Sequence, residues 1–403
     1  MKVGTPGFVG ARLTEARQAR GLTAVSLAEI IGVTPQSISQ YEKNKQSPSP
    51  EIMEIIAERL NFPKERFLAE IPSQDVAPIF WRSNVTAVKY ARDRAEIRLG
   101  WIKDIIAYQS KFFDFPALNL PKIDVPDDFR KVDSRFLDNL ALTLRDHWDI
   151  GTGPMPDLLL EMENNGIVVS RITVDAEKLD AFSQWPLESN IPFVVLGRDK
   201  ASAVRQRFDA AHEILHLMLH RNIDKKRLNS AQDFKILEDQ AHYFASSLLL
   251  PERQFVDELY GCSLDSFLAL KERWKVSIGA MIMRSKALGL INAGETQRLW
   301  INYTRRGWRQ VEALDNKIDK ERPRLLRRSM ESLLSERVQS VAQILSALSL
   351  PAEDLEEICD LDEGVLSGKR PEQKAMPVLK GSAPMVAEKG TNIVAFGIPK
   401  RKG

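Results

Sequence analysis

Three of the five histidines fall in one short run, FDAAHEILHLMLH, from Phe208 to His220. No other stretch restricts the fold as much. Phe208, Ala211, Leu215, Met218 and Leu219 recur at helical spacing, which predicts an amphipathic helix with a packed apolar face. On such a helix His212 and His216 are four residues apart and share a face, so both imidazoles can reach one metal ion. Glu213 sits beside them, placed to act on a water molecule as a general base. Five histidines and 55 acidic residues in 403 produce this His-acid-x-x-His spacing by chance in fewer than about one such chain in a hundred. The plainer alternative is a helix whose histidines hydrogen-bond without a metal. His220 lies one further turn along, too far for the same ion, and is expected to hydrogen-bond to its surroundings.

A catalytic zinc takes three protein ligands and leaves one position open. The next helical pattern runs from Ile236 to Pro251. Glu238 opens it and is the expected third ligand; His242, four residues on, is the rival. Ala241 and Ala245 keep one face small enough for close packing against the histidine helix. Two imidazoles and a carboxylate suit Zn²⁺ best, and Mn²⁺ or iron as well.

The rest of the chain bounds the class. A length of 403 residues with 43% hydrophobic and 28% charged side chains fits a soluble protein of two to four domains. No apolar run approaches the ~20 residues of a membrane span. The first residues have no signal-peptide core, and two distant cysteines, Cys262 and Cys359, make no disulfide framework. The expectation is a cytoplasmic protein, nucleoid-associated when bound to DNA. The net charge of +2 hides an uneven split: residues 367–403 carry eight Lys/Arg against two Asp/Glu, leaving the remainder acidic. Five regions follow: 1–70, compact short helices; 71–150, a helical spacer; 151–295, with most of the chemistry; 296–366, a helical region with Leu325, Met330, Leu333, Leu334, Val338, Val341 and Leu345 at helical intervals; and 367–403, a disordered basic tail. The runs 166–170 and 192–197 predict a small sheet. The fold class is therefore mainly α (α+β).

Residues 12–48 follow a helix-turn-helix plan. Leu13 and Ala16 face inward on a first helix ended by Gly21. Thr23 caps a second, with Leu27, Ala28 and Ile31 buried, and Gly32 turns the chain. Thr34 caps a third helix with Pro35 at its first position. Ile38 and Tyr41 face in; Gln36, Ser37, Ser39, Gln40 and Lys43 face out. The expected DNA contacts are Thr34, Gln36, Ser37, Ser39 and Gln40 at base edges or backbone, with Lys43 and Lys45 beside phosphates.

GLTAVSLAEIIGVTPQSISQYEKNKQSPS, with Leu27-Ala28, Gly32, Ile38, Glu42 and Pro48, resembles the phage-repressor-type (XRE) helix-turn-helix over residues 9–69. The resemblance implies a five-helix domain binding double-stranded operator DNA, normally as a homodimer on paired half-sites. Ala24 stands where members usually carry Gln. RQRFDAAHEILHLMLH followed by EDQAHYFASSLLLP is similar to the ImmA/IrrE family of zinc metallopeptidases. Arg207, Phe208, Ala211, His212, Glu213 and His216 match, then Glu238, Ala241, Phe244 and Ala245, then Leu248, Leu249 and Pro251. That resemblance implies a zincin-like domain in which His212, His216 and Glu238 hold metal and Glu213 is the catalytic base. His242 replaces the usual Asn. Residues 275–291 resemble a second helix-turn-helix-like element, structural by default, with Arg284 as its candidate DNA contact.

The order of regions resembles a recurring fusion found in phages, mobile elements and stress or defence loci. Trp81-Arg82-Ser83 and Glu321-Arg322-Pro323 match motifs of such fusions. The resemblance implies cleavage of a regulatory protein, either a repressor in trans or the chain's own helix-turn-helix domain, cut in the Glu70–Arg82 linker. The alternatives are a non-cleaving transcription factor, or an antitoxin, whose metal domain senses a ligand or protein partner. Arg205 and Arg207 are expected on the surface or paired with carboxylates, and Tyr243 in packing.

Overall fold

A computed structural model describes residues 4–71, 79–81, 89–126, 128–173, 180–186, 190–198, 202–228 and 230–369. Arg82 and Ser83 of the aromatic-Arg-Ser motif, most of the 70–82 linker, and nearly all of the basic tail lie outside the described residues.

The N-terminal pattern folds as its caps dictate. Helices α1 (Gly10–Ala19), α2 (Ala24–Ile31), α3 (Pro35–Glu42) and α4 (Pro50–Leu60) are followed by a 3-10 turn, Lys64–Leu68. The Thr23 hydroxyl accepts from the Ser26 amide and that of Thr34 from the Ser37 amide, at 3.0 and 3.1 Å. Gly32 closes α2 in the left-handed region, φ 73°. Leu13, Ala16, Leu27, Ala28 and Ile38 are buried. Arg17 donates twice to the Glu42 carboxylate, at 2.6 and 3.2 Å, and so ties α1 to the end of α3.

The remaining helices are α5 (Lys89–Gln109), α6 (Ser134–His147), α7 (Leu158–Asn164), α8 (Ala203–Leu215), α9 (Lys225–Leu228), α10 (Ala231–Leu249), α11 (Glu252–Asp257), α12 (Leu264–Trp274), α13 (Ile278–Ala287), α14 (Ala293–Arg305), α15 (Leu325–Ser335), α16 (Val341–Leu348) and α17 (Ala352–Ile358). They do not pack in chain order. Trp101, Ile102 and Ile105 of α5 join the core of the N-terminal helices, and so do Leu326, Met330, Leu333, Ile344 and Leu355 from the last three helices. Helix α14 instead packs on α13 in a second core, with α6, α7, α8 and α10. The region 296–366 is thus shared between two cores. Its helical register also breaks: α15 stops before Arg337, at φ 56°, and α16 restarts from a capping box at Ser340. Val338 lies in that break and is exposed.

The wall between the cores is a sheet of β1 (Ile79–Trp81), β2 (Val168–Ile172), β3 (Ala181–Gln184) and β4 (Phe193–Gly197), in the order β1-β3-β4-β2. Strands β2 and β4 are parallel; β3 is antiparallel to both β4 and β1. The two apolar runs supply β2 and β4. Alternate side chains point to opposite faces of a strand. Val168, Ile172, Phe182, Phe193 and Val195 accordingly enter the first core, and Val169, Ala181, Val194 and Leu196 the second. No helix among the described residues is long and apolar enough to cross a membrane.

Buried ion pairs bolt the halves together. Asp360, 1% exposed, accepts from Arg171 and Arg198, each at 2.8 Å, and from Arg322 at 2.6 Å. Neighbouring Glu321 pairs with Arg207 of α8 and accepts from the Leu159 amide. Arg207 is therefore a buried cross-link. Burial alone would raise the Asp360 pKa, but its arginine partners outweigh this and hold it below the usual range. A depressed carboxyl stabilises the fold above its unfolded-state pKa of ~3.9, and that contribution is lost as pH falls through the lower folded value. Asp360→Asn should cost about 3 kcal/mol at pH 7. Urea unfolding from pH 7 down to pH 3 should show the gap from wild type closing in acid.

Candidate metal centre

Helix α8 carries the His-Glu-x-x-His run between the sheet and α10, and His212, Glu213 and His216 are all 0–2% exposed. After Leu215 the helix widens into a π turn, His216–His220, an element that often marks functional positions. Helix α10 starts at Ala231, capped by the Ser230 hydroxyl, five residues before the apolar pattern suggests. Glu238 is therefore inside the helix rather than at its start. Ala241 and Ala245 are fully buried, and their small side chains let α10 lie close against α8.

Three donors converge. His212 Nε2 lies 3.0 Å from His216 Nε2. The Glu238 carboxylate reaches His212 Nε2 at 3.6 Å and His216 Nε2 at 3.3 Å. Zinc bonds of ~2.0–2.1 Å in tetrahedral array separate neighbouring donors by about 3.3 Å, so this triangle has the right size. A looser set, His212, Glu238 and His242, has ligand atoms within 4.8 Å of one another. The tighter set fits a single ion better. His242 Nδ1 donates to the Glu238 carbonyl at 2.7 Å, which leaves its Nε2 an acceptor near the centre.

Burial drives the His212 pKa down to about 3, against the opposing pull of Glu238. Burial would raise the Glu238 carboxyl, but the two imidazoles outweigh it and hold it well below the usual range. At neutral pH the donors are a neutral His212, the His216 imidazole and a carboxylate, a set matched to a divalent cation.

Hydrogen bonds behind the ligands fix one tautomer. Gln240 Nε2 donates to the Phe129 carbonyl at 2.7 Å, so its Oε1 accepts from His220 Nε2 at 3.1 Å. His220 Nδ1 must then accept from His216 Nδ1, at 2.9 Å, and His216 Nε2 presents a lone pair to the shared point. His220 thus orients His216 from outside the triangle.

The strand β3 adds a residue that the sequence did not flag. Ser183 Oγ donates to Glu213 Oε2 at 2.6 Å, fully buried. Tyr243 does not face the centre with its hydroxyl, which donates to Asp138 at 2.7 Å. Beside His242 opens a cavity of about 550 Å³, lined by Phe208, Met283, Trp300 and Trp308 among others.

On α3, Thr34 and Gln36 are exposed, as are Lys43 and Lys45 beyond its end; Ser37, Ser39 and Gln40 are half-buried. The Thr34 hydroxyl is engaged as the helix cap. Arg284 of α13 is 1% exposed and donates to Asp138 and the Leu250 carbonyl. It is a core cross-link and not a DNA contact.

Comparison with known proteins gives the two units their families. The helix-turn-helix family matches residues 13–67, and the IrrE N-terminal-like domain of the M78 peptidase family matches residues 162–286. The chain thus carries both matches, the helix-turn-helix one first. The second match begins in α7, spans β2 to β4 and ends in α13, so it contains every donor of the triangle. No curated protein matches the chain. A solved structure, a Mycobacterium tuberculosis transcriptional regulator, is similar at 15% identity with a TM-score of 0.28, over 45% of this chain and 51% of that one.

The hydrogen-bond chain behind His216 yields a prediction. Gln240→Leu should leave the fold intact and weaken zinc binding about 10–100-fold, measured by competition with a chromogenic chelator. An unchanged affinity would mean that His220 and Gln240 do not orient the ligand.

Proposed function

We propose that this fusion protein is a DNA-binding regulator whose second domain is a zinc-dependent endopeptidase acting on a regulatory protein, either a helix-turn-helix repressor or its own N-terminal domain. The carrying observation is the triangle of His212, His216 and Glu238 with Glu213 on the same helix. His212, His216 and Glu238 would hold the ion. When bound, zinc supplies Lewis acidity, lowering the pKa of water towards ~7 and polarising the scissile carbonyl. Glu213 takes a proton from the attacking water and delivers it to the leaving amine. Ser183 holds one oxygen of that carboxylate in place. His242, with Nδ1 donating to the Glu238 carbonyl, lies beside the centre.

Glu213→Gln should keep the metal and lower cleavage by about 10²–10⁴-fold. New protein N-termini in cells expressing wild type or the variant, read by mass spectrometry, make the comparison. A variant with the same new N-termini as wild type would overturn the mechanism. The second reading, a metal domain that senses a ligand or partner without cutting, is favoured by the near-complete burial of His212, Glu213 and His216. It requires that no new N-termini depend on Glu213.

For DNA, Gln36 and the neighbouring Ser37, Ser39 and Gln40 would read base edges, and Lys43 and Lys45 would neutralise phosphates. Thr34 would act through the position of α3. Lys43→Ala should weaken binding across all sequences and reduce the salt slope by about one, whereas Gln36→Ala should relax sequence preference. Titration against selected genomic fragments at several salt concentrations separates the two.

A further inference from the structure

Strand β3 has two neighbours, β4 inside the sheet and β1 on its outer edge. The outer edge is the side that concerns the site. In an antiparallel pair, directly opposed residues project to the same face. Phe80 of β1 is opposite Ser183 of β3. Ser183 points at α8 and bonds Glu213. Phe80 points the same way and lies on His216: the rings are parallel to within 12°, with centroids 5.1 Å apart, and the His220 ring is 6.4 Å away. Phe80 is 5% exposed.

An extended peptide commonly binds by adding a strand to a sheet edge, with main-chain hydrogen bonds holding its backbone and pockets taking alternate side chains. The β3 edge offers this beside the candidate base. The edge is already filled from within the chain, by three residues that lie in sequence between the helix-turn-helix match and α5.

We propose that the outer edge of β3 is the peptide-binding edge of the metal site, that β1 is its internal occupant, and that a peptide must displace Ile79–Trp81 and seat a large apolar side chain on His216 in place of Phe80. This rests on the metallopeptidase reading and adds to it the mode of substrate binding, a preference for an aromatic residue and a built-in competitor. Because β1 follows the DNA-binding unit directly in the chain, a force or rearrangement there can draw the strand from the edge. The apparent affinity for a competing peptide falls by the fraction of molecules whose edge is open.

The test uses the full-length zinc-loaded protein and three probes: an Ile-Phe-Trp hydroxamate, an Ile-Ala-Trp hydroxamate and acetohydroxamate. The double variant Ile79→Pro/Phe80→Ser disfavours the strand at its first residue and removes the ring. It should bind Ile-Phe-Trp hydroxamate at least about tenfold more tightly than wild type, prefer it over the alanine peptide, and bind acetohydroxamate with little change. Phe80→Ala, which keeps the backbone of β1, should show a smaller gain. In wild type, saturating Ile-Phe-Trp hydroxamate should speed amide exchange in residues 79–81 and leave β3 protected. An unchanged tripeptide affinity in both variants, or equal gains for acetohydroxamate and tripeptide, overturns the proposal while leaving the metallopeptidase reading intact. A wild-type chain that takes up no zinc overturns both.

Discussion

The close packing of α8 on α10 is the constraint on which the rest depends. It puts two imidazoles and a carboxylate within 3.6 Å of one another in nearly solvent-free space. Unpaired polar groups in such a place are costly, so each needs a partner or a cation. The fold satisfies the rear of His216 protein-to-protein, through His220 and Gln240 to the Phe129 carbonyl; His212 Nδ1 is buried without such a partner. At the front, the two Nε2 atoms and the Glu238 carboxylate converge. Ala241 and Ala245 permit the approach and the π turn sets His220 behind His216, so packing and chemistry are one arrangement.

Much of this centre was legible in the sequence, because its parts are local. His212, Glu213 and His216 are encoded by spacing on one helix, and Glu238 and the two alanines by spacing on the next. The caps at Thr23 and Thr34 and the turn at Gly32 are local too, and the N-terminal helices follow from them. What was not legible is non-local. Strands β1 and β3 have three and four residues, too short for an alternating pattern, and are defined by their pairing with neighbouring strands. Ser183 is invisible as a site residue until β3 is placed. The region 296–366 reads as helical, and its helices divide between two cores, since a helical period does not say which partner a face meets. The Glu321-Arg322-Pro323 motif had no evident physical role until Glu321 was found against Arg207 and Arg322 against Asp360.

The sheet gives the fusion a mechanical logic. One face carries the metal helix and the other is covered by α5 and the C-terminal helices that also pack against the DNA-binding unit. The helix-turn-helix unit and the candidate metal centre thus lie on opposite sides of one wall. Strand β1 crosses from one to the other: in sequence it belongs to the connection from the DNA-binding unit, and in space it lies on a candidate metal ligand. On the proposed function, a change at DNA and a change at the centre would be coupled through the pairing of these three residues.

The account stands on the ion. Elemental mass spectrometry of the purified chain, beside His216→Ala, tests it most directly. About one zinc per wild-type chain, lost in the variant, is the result expected of a three-ligand site. A wild-type chain that remains metal-free after zinc is supplied would contradict the account, and would leave His212, His216 and Glu238 as a hydrogen-bonded cluster in a DNA-binding scaffold.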